Sequence, residues 1–398
     1  MQKSQSQRMP RIADRMAGIE PFHVMDLLAR ARALEAQGRD IVHMEIGEPD
    51  FETPAPIRAA ARQAADAGHT HYTPAIGLPA LREAISAYYQ NDYGVSVAPE
   101  RIIITPGASG ALLLTTGVLI NPGDQVLMAD PGYPCNRHFV RLMGGEAVGI
   151  AVGAASAYQL TAALLDAHWT DKTVAALLAS PSNPTGTLVP TAALREMAEA
   201  VSARGGRLIV DEIYHGLTYG HPAGSVETAL GLSDELFVVN SFSKQFCMTG
   251  WRLGWLVAPP AYVRELDKLA QNLFLAPATL SQYAALAAFT PQSREILAGY
   301  REALQARRDF LLPALRGLGF EIPVEPAGAL YLYADCSRFT TDSYVFALEL
   351  LEQAGVAITP GKDFGSNRPE RHVRFAYTTG MDRLQEGVER LARYLQAR

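Results

Sequence analysis

The stretch Ser241-Phe242-Ser243-Lys244-Gln245-Phe246-Cys247-Met248-Thr249-Gly250-Trp251-Arg252-Leu253-Gly254 decides how the chain is read. An apolar, strand-like run from Leu236 to Val239 leads into it, and a second, Leu253 to Val257, leads out. A lysine just past a buried strand is costly unless its amine has a task. Ser241, Ser243, Thr249 and Arg252 are good phosphate partners, and Gly250 and Gly254 let the backbone turn tightly. The functional reading is a lysine that holds an aldehyde cofactor as a Schiff base, with the cofactor's phosphate gripped by its neighbours. The plain alternative is a polar turn with a solvated lysine, so the rest of the chain must decide.

Upstream, the same arrangement recurs. Ile102 to Thr105 reads as a short buried strand running into Pro106-Gly107-Ala108-Ser109-Gly110, with a helix following through Leu119. Such a turn aims backbone N–H groups and a helix N-terminus at whatever sits above the sheet edge, which is an anion site by geometry. The strand Gln125 to Ala129 ends at Asp130-Pro131-Gly132-Tyr133-Pro134, which presents the Tyr133 ring in a fixed direction. The strand Val174 to Ala179 precedes Ser180-Pro181-Ser182-Asn183-Pro184-Thr185-Gly186, whose prolines stiffen Asn183. A helix is expected over Thr191 to Ala203, with Thr191 as N-cap. Asp211 ends the apolar run that begins at Leu208, and Tyr214 lies just beyond. A carboxylate there is expensive unless paired.

Strands alternating with helices predict an α/β domain with a mainly parallel sheet flanked by helices. In such sheets ligands gather at the carboxyl ends of strands. The 107–110 turn, Tyr133, Asn183, Asp211 and Lys244 each fall just after a predicted strand, and this coincidence favours a site over five unrelated plain readings. Near the N-terminus, helices are expected over Met25 to Gln37, Pro56 to Ala67 and Pro79 to Tyr89. A short strand is expected over Ile41 to Ile46, and Tyr72 falls in a loop. After Pro259 the pattern shifts to helices near Pro260, over Thr279 to Phe289 and over Ser293 to Leu315. Strands at Leu330 to Ala334 and Val373 to Tyr377 follow, with helices at Ser343 to Gln353 and Asp382 to Gln396, which predicts a smaller α+β domain. The expected division is an N-terminal segment, 1–47, packing with the small domain, a large cofactor-binding domain, 48–290, and a small C-terminal domain, 291–398. Arg374 alternates with Val373 and Phe375, so it faces away from them and can grip a carboxylate with two prongs.

The whole chain sets bounds. At 398 residues it can hold two domains, and 48% apolar residues suffice for a large core. A net charge of −6, without any basic block, argues against a nucleic-acid surface. No apolar run has the length of a membrane span. Met1 to Arg15 is polar, lacks the apolar segment of a secretory signal and reads as a loose tail rather than a transit peptide. Cys135, Cys247 and Cys336 have no metal spacing and fit free thiols in a reducing cytoplasm.

A pyridine-aldehyde cofactor needs a lysine, an acid against its ring nitrogen, a donor to its ring oxygen, an aromatic face and a phosphate cup. Lys244, Asp211, Asn183 with Tyr214, Tyr133, and the 107–109 turn with Ser241, Ser243 and Arg252 supply them in turn. An anionic Asp211 favours the protonated pyridinium. Lys244, once freed, can shuttle the proton at the substrate's α-carbon. The stretch 241–254, the turn Asn183-Pro184-Thr185-Gly186, Asp211 with Tyr214, and Arg374 occur in an order that resembles the class I and II aminotransferases of fold type I over nearly the whole length. The resemblance implies pyridoxal 5'-phosphate bound through Lys244, with Asp211 on the ring nitrogen and Asn183 and Tyr214 on the ring oxygen. It implies Tyr133 stacked on the ring and Ala108, Ser109, Ser241 and Arg252 on the phosphate. It further implies Arg374 on the substrate carboxylate with the Gly47 backbone nearby, and Tyr72 reaching the phosphate in a neighbouring subunit, hence a homodimer with shared sites. The implied reaction moves an amino group from an L-amino acid to a 2-oxo acid, ping-pong.

A dicarboxylate substrate would want a second cation. No arginine or lysine occurs between Gln271 and Gln292, where Leu273, Phe274 and Leu275 stand instead. An apolar or broad amino-acid preference is therefore expected, with an aspartate-preferring enzyme as the alternative. Residues Ile19 and Phe22 are candidates to close over the substrate. A β-lyase or a cyclopropane-forming synthase could use the same cage. An effector-binding regulator would need an added DNA-binding domain, for which the chain has neither room nor charge.

Overall fold

The computed structural model describes residues 11–220 and 227–397. Most of the tail read over Met1 to Arg15 lies outside them. In chain order the strands are β1 (Val42–His43), β2 (Ile102–Thr105), β3 (Gln125–Asp130), β4 (Glu146–Ala151), β5 (Thr173–Ala179) and β6 (Arg207–Asp211). They continue with β7 (Phe237–Ser241), β8 (Gly254–Val257), β9 (Tyr331–Asp335), β10 (Val356–Ala357), β11 (Thr359–Pro360) and β12 (His372–Ala376).

Seven of them form the main sheet, in the order β2-β8-β7-β6-β5-β3-β4. All its pairings are parallel except those of β8, which runs against both β2 and β7. The central strands are near-continuous apolar runs, as a sheet covered on both faces requires. Their alternation sorts side chains into two cores. Leu208, Val210, Val238 and Trp255 pack on one face with Tyr89 of helix Pro79–Tyr93 and Met197 of helix Thr191–Ser202. Ile209, Phe237, Val239 and Leu256 pack on the other with Leu114 of helix Gly107–Leu119 and Leu266 of helix Val263–Leu273. Ile209 is fully buried, so truncation to Ala is expected to cost about 2–5 kcal/mol in stability.

A third core gathers Leu332 of β9 and Phe375 of β12 with Leu27 of helix His23–Glu35 and Leu311 of helix Pro291–Leu318. Its strands form a separate antiparallel sheet, β11-β12-β9, beside the two-stranded parallel pair β1-β10. The 28-residue helix Pro291–Leu318 carries Pro313 inside it and, at 1.5 Å per residue, is about 42 Å long.

Several boundaries differ from the sequence expectation for identifiable reasons. The strand expected over Ile41 to Ile46 is ladder-paired only at Val42–His43. Beyond it the Met44 carbonyl accepts from Ala376 N, and the Glu45 carbonyl from Thr359 Oγ1 and Arg374 Nη2. Thr191 is not an N-cap: Pro190 holds that position in extended geometry, and Thr191 has already turned helical. The helix expected over Ser343 to Gln353 is α-helical to Glu349 and ends in a wider turn, Leu350–Ala354. No helix among the described residues is long and apolar enough to cross a membrane.

Candidate active site

The chain order of the sheet explains where the site lies. Strands β2, β3, β5, β6 and β7 all point their carboxyl ends at one edge. Because β8 is antiparallel, its amino end, just after Arg252, comes to the same edge. A cavity of about 470 Å³ opens there. Its wall includes Ala108, Ser109, Tyr133, Asn183, Asp211, Tyr214, Ser241, Lys244 and Arg252 from the main sheet's loops, together with Gly47 and Arg374. Tyr72, expected at a phosphate, stays outside it. Tyr72 is 81% exposed on the surface of the chain. Phe22 lines the cavity with Val24, Met25 and Leu28, whereas Ile19 does not.

Lys244 extends from the turn after β7, and its Nζ donates to the Gly47 carbonyl at 2.7 Å. Gly47 has no room for a side chain: a Cβ there would lie 1.9 Å from the Tyr331 hydroxyl. Asp211 sits at the end of β6, where Oδ1 accepts from the Ile213 N–H at 3.0 Å. Burial pushes its carboxyl up to about 7, against the pull of that hydrogen bond and of the Lys244 charge. The anionic Asp211 expected from the sequence is thus costly in the chain by itself. A cation placed against it would remove the cost.

Arg374 projects from β12 and is 3% exposed, so its guanidinium is held by the protein and not by solvent. Val373 and Phe375 on either side face the third core. The guanidinium donates to Asn183 Oδ1 at 2.9 Å, to the Glu45 carbonyl at 2.6 Å and to Thr359 Oγ1 at 3.2 Å. It lies 4.1 Å from the centre of the Tyr331 ring and 4.9 Å from that of Phe364. Its Nε is buried with no hydrogen-bond partner. Asn183 spends its carbonyl on Arg374, which leaves its amide N–H groups to donate elsewhere. The bonds preceding Pro181 and Pro184 are cis.

Ala108 and Ser109 lie in the first turn of helix Gly107–Leu119, whose N-cap, Pro106, supplies no side-chain acceptor. The free N–H groups of that turn and the helix dipole favour an anion. Arg252 closes over the same place. Gly107, at φ +70°, would put a Cβ 2.7 Å from Arg252 Nη2, so the turn and the guanidinium approach closely only because Gly107 has none. Ser241 Oγ accepts from the Ser243 N–H at 3.0 Å and donates to the Leu253 carbonyl, fixing the lysine turn. Thr249, read as a phosphate partner, instead donates its hydroxyl to Glu48 Oε1.

Sequence reasoning passed over Tyr331, Glu45 and the apolar wall from helix His23–Glu35. Tyr331 was read as one residue of a strand, although its hydroxyl meets that of Tyr214 at 2.7 Å. Glu45 carried a usable signal, a carboxylate within an apolar run. It is fully buried, and Oε1 pairs with His43 Nδ1 at 2.7 Å. Among the described residues no cluster of His, Cys, Asp and Glu could hold a metal ion.

A primary amine, a buried carboxylate that calls for a cation, an anion cup and a buried arginine face one cavity. This donor set fits pyridoxal 5'-phosphate, which brings an aldehyde, a basic ring nitrogen and a phosphate. Residues 39–391 match the family described as aminotransferase class I and II. The chain is 40% identical to the valine–pyruvate aminotransferase of Mycobacterium tuberculosis, over 95% of this chain and 97% of that protein. It is 34% identical to the aspartate aminotransferase of Geobacillus stearothermophilus, over 98% of this chain and all of that one. The crystal structure of Thermus thermophilus aspartate aminotransferase with maleate superposes with a TM-score of 0.91 at 34% identity, covering 97% of this chain and 100% of the other. The chain therefore belongs to the class I and II aminotransferases, transaminases that use pyridoxal 5'-phosphate.

Proposed function

We propose that this transaminase prefers amino acids with apolar side chains, or a broad set of them, over aspartate. The observation that carries the reading is the composition of the cavity wall. Arg252 faces the phosphate turn and Arg374 is the carboxylate partner. No third arginine lines the cavity among the described residues, and its lysine is Lys244. Phe22, Val24, Met25 and Leu28 supply an apolar part of the wall. A distal carboxylate would be desolvated there without a partner. The relative from Mycobacterium tuberculosis named for valine and pyruvate supports the same preference.

The chemistry of the donor set and the family resemblance support the following residue roles. Pyridoxal phosphate, when bound, supplies an electron-withdrawing ring that makes the α-carbon proton of an attached amino acid acidic. Asp211 would hold the proton on the ring nitrogen. Asn183 and Tyr214 would donate to the ring oxygen, and Tyr133 would cover one ring face. Ser241, Arg252 and the N–H groups of Ala108 and Ser109 would hold the phosphate. Lys244 would hold the cofactor through its aldehyde, and its Nζ, donating to the Gly47 carbonyl in the chain alone, would be the base for the α-carbon proton. Arg374 would bind the substrate carboxylate, with the Gly47 backbone beside it.

We further propose a division into an N-terminal segment, 1–47, a large domain, 48–290, and a small one, 291–398. The pairing of β1 with β10 and the shared third core support it. A homodimer with shared sites is supported by the exposure of Tyr72. Unpaired Cys135, Cys247 and Cys336 suit a reducing cytoplasm.

The test is a single half-reaction. The absorbance of purified enzyme is followed while single amino acids are added without a 2-oxo acid. Valine, leucine, methionine and alanine are expected to bleach the cofactor band with a higher kcat/KM than aspartate. A clear preference for aspartate would sink the substrate proposal and leave the family untouched. A band that no amino acid bleaches would favour a β-lyase or synthase on the same cage.

A further inference from the structure

Tyr331 has no part in the roles just assigned, yet it touches three of them. It lies at the start of β9 and is almost fully buried. Its hydroxyl is 2.7 Å from that of Tyr214. That hydroxyl also stands where a Cβ on Gly47 would be, so the Lys244 contact and the tyrosine pair are locked side by side. The face of its ring carries the Arg374 guanidinium at 4.1 Å, with Phe364 as a second aromatic neighbour of the same cation.

The direction of the hydrogen bond between the two tyrosines follows from counting protons. Each phenol has one to donate and can also accept. If Tyr214 donates its proton to the cofactor's ring oxygen, the proton between the two hydroxyls must come from Tyr331. We propose that Tyr331 is a positioning residue: it donates to Tyr214 and thereby strengthens Tyr214 as a donor to the ring oxygen, while its ring fixes the guanidinium that receives the substrate carboxylate. The proposal rests on the Tyr214 assignment above. It joins the cofactor end and the carboxylate end of the cavity through a single side chain.

A donor to the ring oxygen favours the form in which that oxygen carries full negative charge, so it lowers the pH at which the bound cofactor's visible band titrates. Removing a bond that strengthens this donor should raise the midpoint, and by less than removing the donor itself. Cooperative strengthening is about 10–30% per bond.

The experiment is a spectrophotometric pH titration of the cofactor-loaded enzyme, wild type, Tyr214→Phe, Tyr331→Phe and the double variant. Tyr214→Phe is expected to raise the midpoint most, Tyr331→Phe to raise it by a fraction of that, and the double variant to match Tyr214→Phe alone. If Tyr214→Phe shifts the midpoint and Tyr331→Phe does not, the inference fails and the Tyr214 assignment stands. A Tyr331→Phe shift that persists undiminished in the Tyr214→Phe background would also overturn it, since Tyr331 would then act by another route. If Tyr214→Phe itself leaves the midpoint in place, both fall. For the ring, Tyr331→Phe keeps the cation–π face and should leave KM for the amino acid little changed. Tyr331→Leu should raise KM by roughly 2- to 30-fold, the range a cation–π contact supports. Equal KM values for the Phe and Leu variants would remove the second half of the proposal, and the titration decides the first half even if Tyr331→Leu does not fold.

Discussion

Arg374 and Asp211 are both buried charges, and they carry opposite expectations. Arg374 is anchored by Asn183, Glu45 and Thr359, so its position does not depend on substrate. Arg374→Ala would leave a substrate carboxylate unpaired, at a cost of roughly 2–5 kcal/mol. The expected loss in kcat/KM is about thirty-fold to several thousand-fold, and an unchanged value would mean that another group binds the carboxylate. Asp211 has one backbone hydrogen bond and a carboxyl pushed from 3.8 to about 7 by burial. Well below pH 3.8 it is neutral in the folded and the unfolded chain and costs nothing. As pH rises to 7 the unfolded chain ionises first, so the cofactor-free protein loses stability, by roughly 4 kcal/mol at 1.36 kcal/mol per pH unit. Asp211→Asn should flatten this fall in the cofactor-free protein while lowering activity. Thermal melts of the two cofactor-free proteins from pH 4 to 8 test it, and parallel curves would count against a buried, ionising Asp211. Both residues were legible from sequence because each is a charge set in an apolar strand. The partner of Tyr214 was not, because it is supplied 117 positions later by a tyrosine that looks ordinary in its own strand.

The short ladder of β1 and β10 ties the N-terminal helix to the third core through two residue pairs. His43, within β1, reinforces it. Its Nδ1 lies 2.7 Å from Glu45 Oε1 and its Nε2 3.1 Å from Glu35 Oε1. The hydrogen bond to Glu45 leads in raising its pKa from 6.5 to about 9, against partial burial. A raised pKa of this kind adds stability that is fully present below pH 6.5 and is lost as pH rises through 9. His43→Gln is expected to be less stable than wild type at pH 6 and to approach it by pH 9.5. Because the ring is partly in water, the difference is smaller than the shift alone implies. Denaturant melts at the two pH values check this, and a constant difference would assign the effect to packing. The same ladder marks the limit of sequence reading for elements. The strands of the main sheet stood out as apolar runs closed by turn residues. The run Ile41 to Ile46 looked like one more, and only the tertiary claims on the Met44 and Glu45 carbonyls cut it to two residues. Edge strand β4 and helix Pro134–Leu142 left weaker signals, because half-exposed elements need no continuous apolar pattern.

At the scale of the whole molecule, the fold brings loops from six strands of one sheet and a strand of another to a single cavity, yet leaves Tyr72 on the outer surface of the chain. The proposal that Tyr72 serves the cavity of a second subunit can be tested by mixing variants. Lys244→Ala should be inactive, and Tyr72→Phe impaired in holding the cofactor. If sites are shared, a dimer with one subunit of each kind has one site that combines both defects and one that has neither. Unfolding and refolding the two variants together in equal amounts should then restore about a quarter of wild-type activity, since half of randomly formed dimers are mixed and each holds one intact site. If Tyr72 served its own subunit, the Lys244→Ala site would stay dead and the other would keep its tyrosine defect, so mixing would add nothing beyond the Tyr72→Phe protein alone. Recovery of activity on mixing places Tyr72 across the interface; its absence, with each variant refolding normally alone, removes Tyr72 from the partner's site.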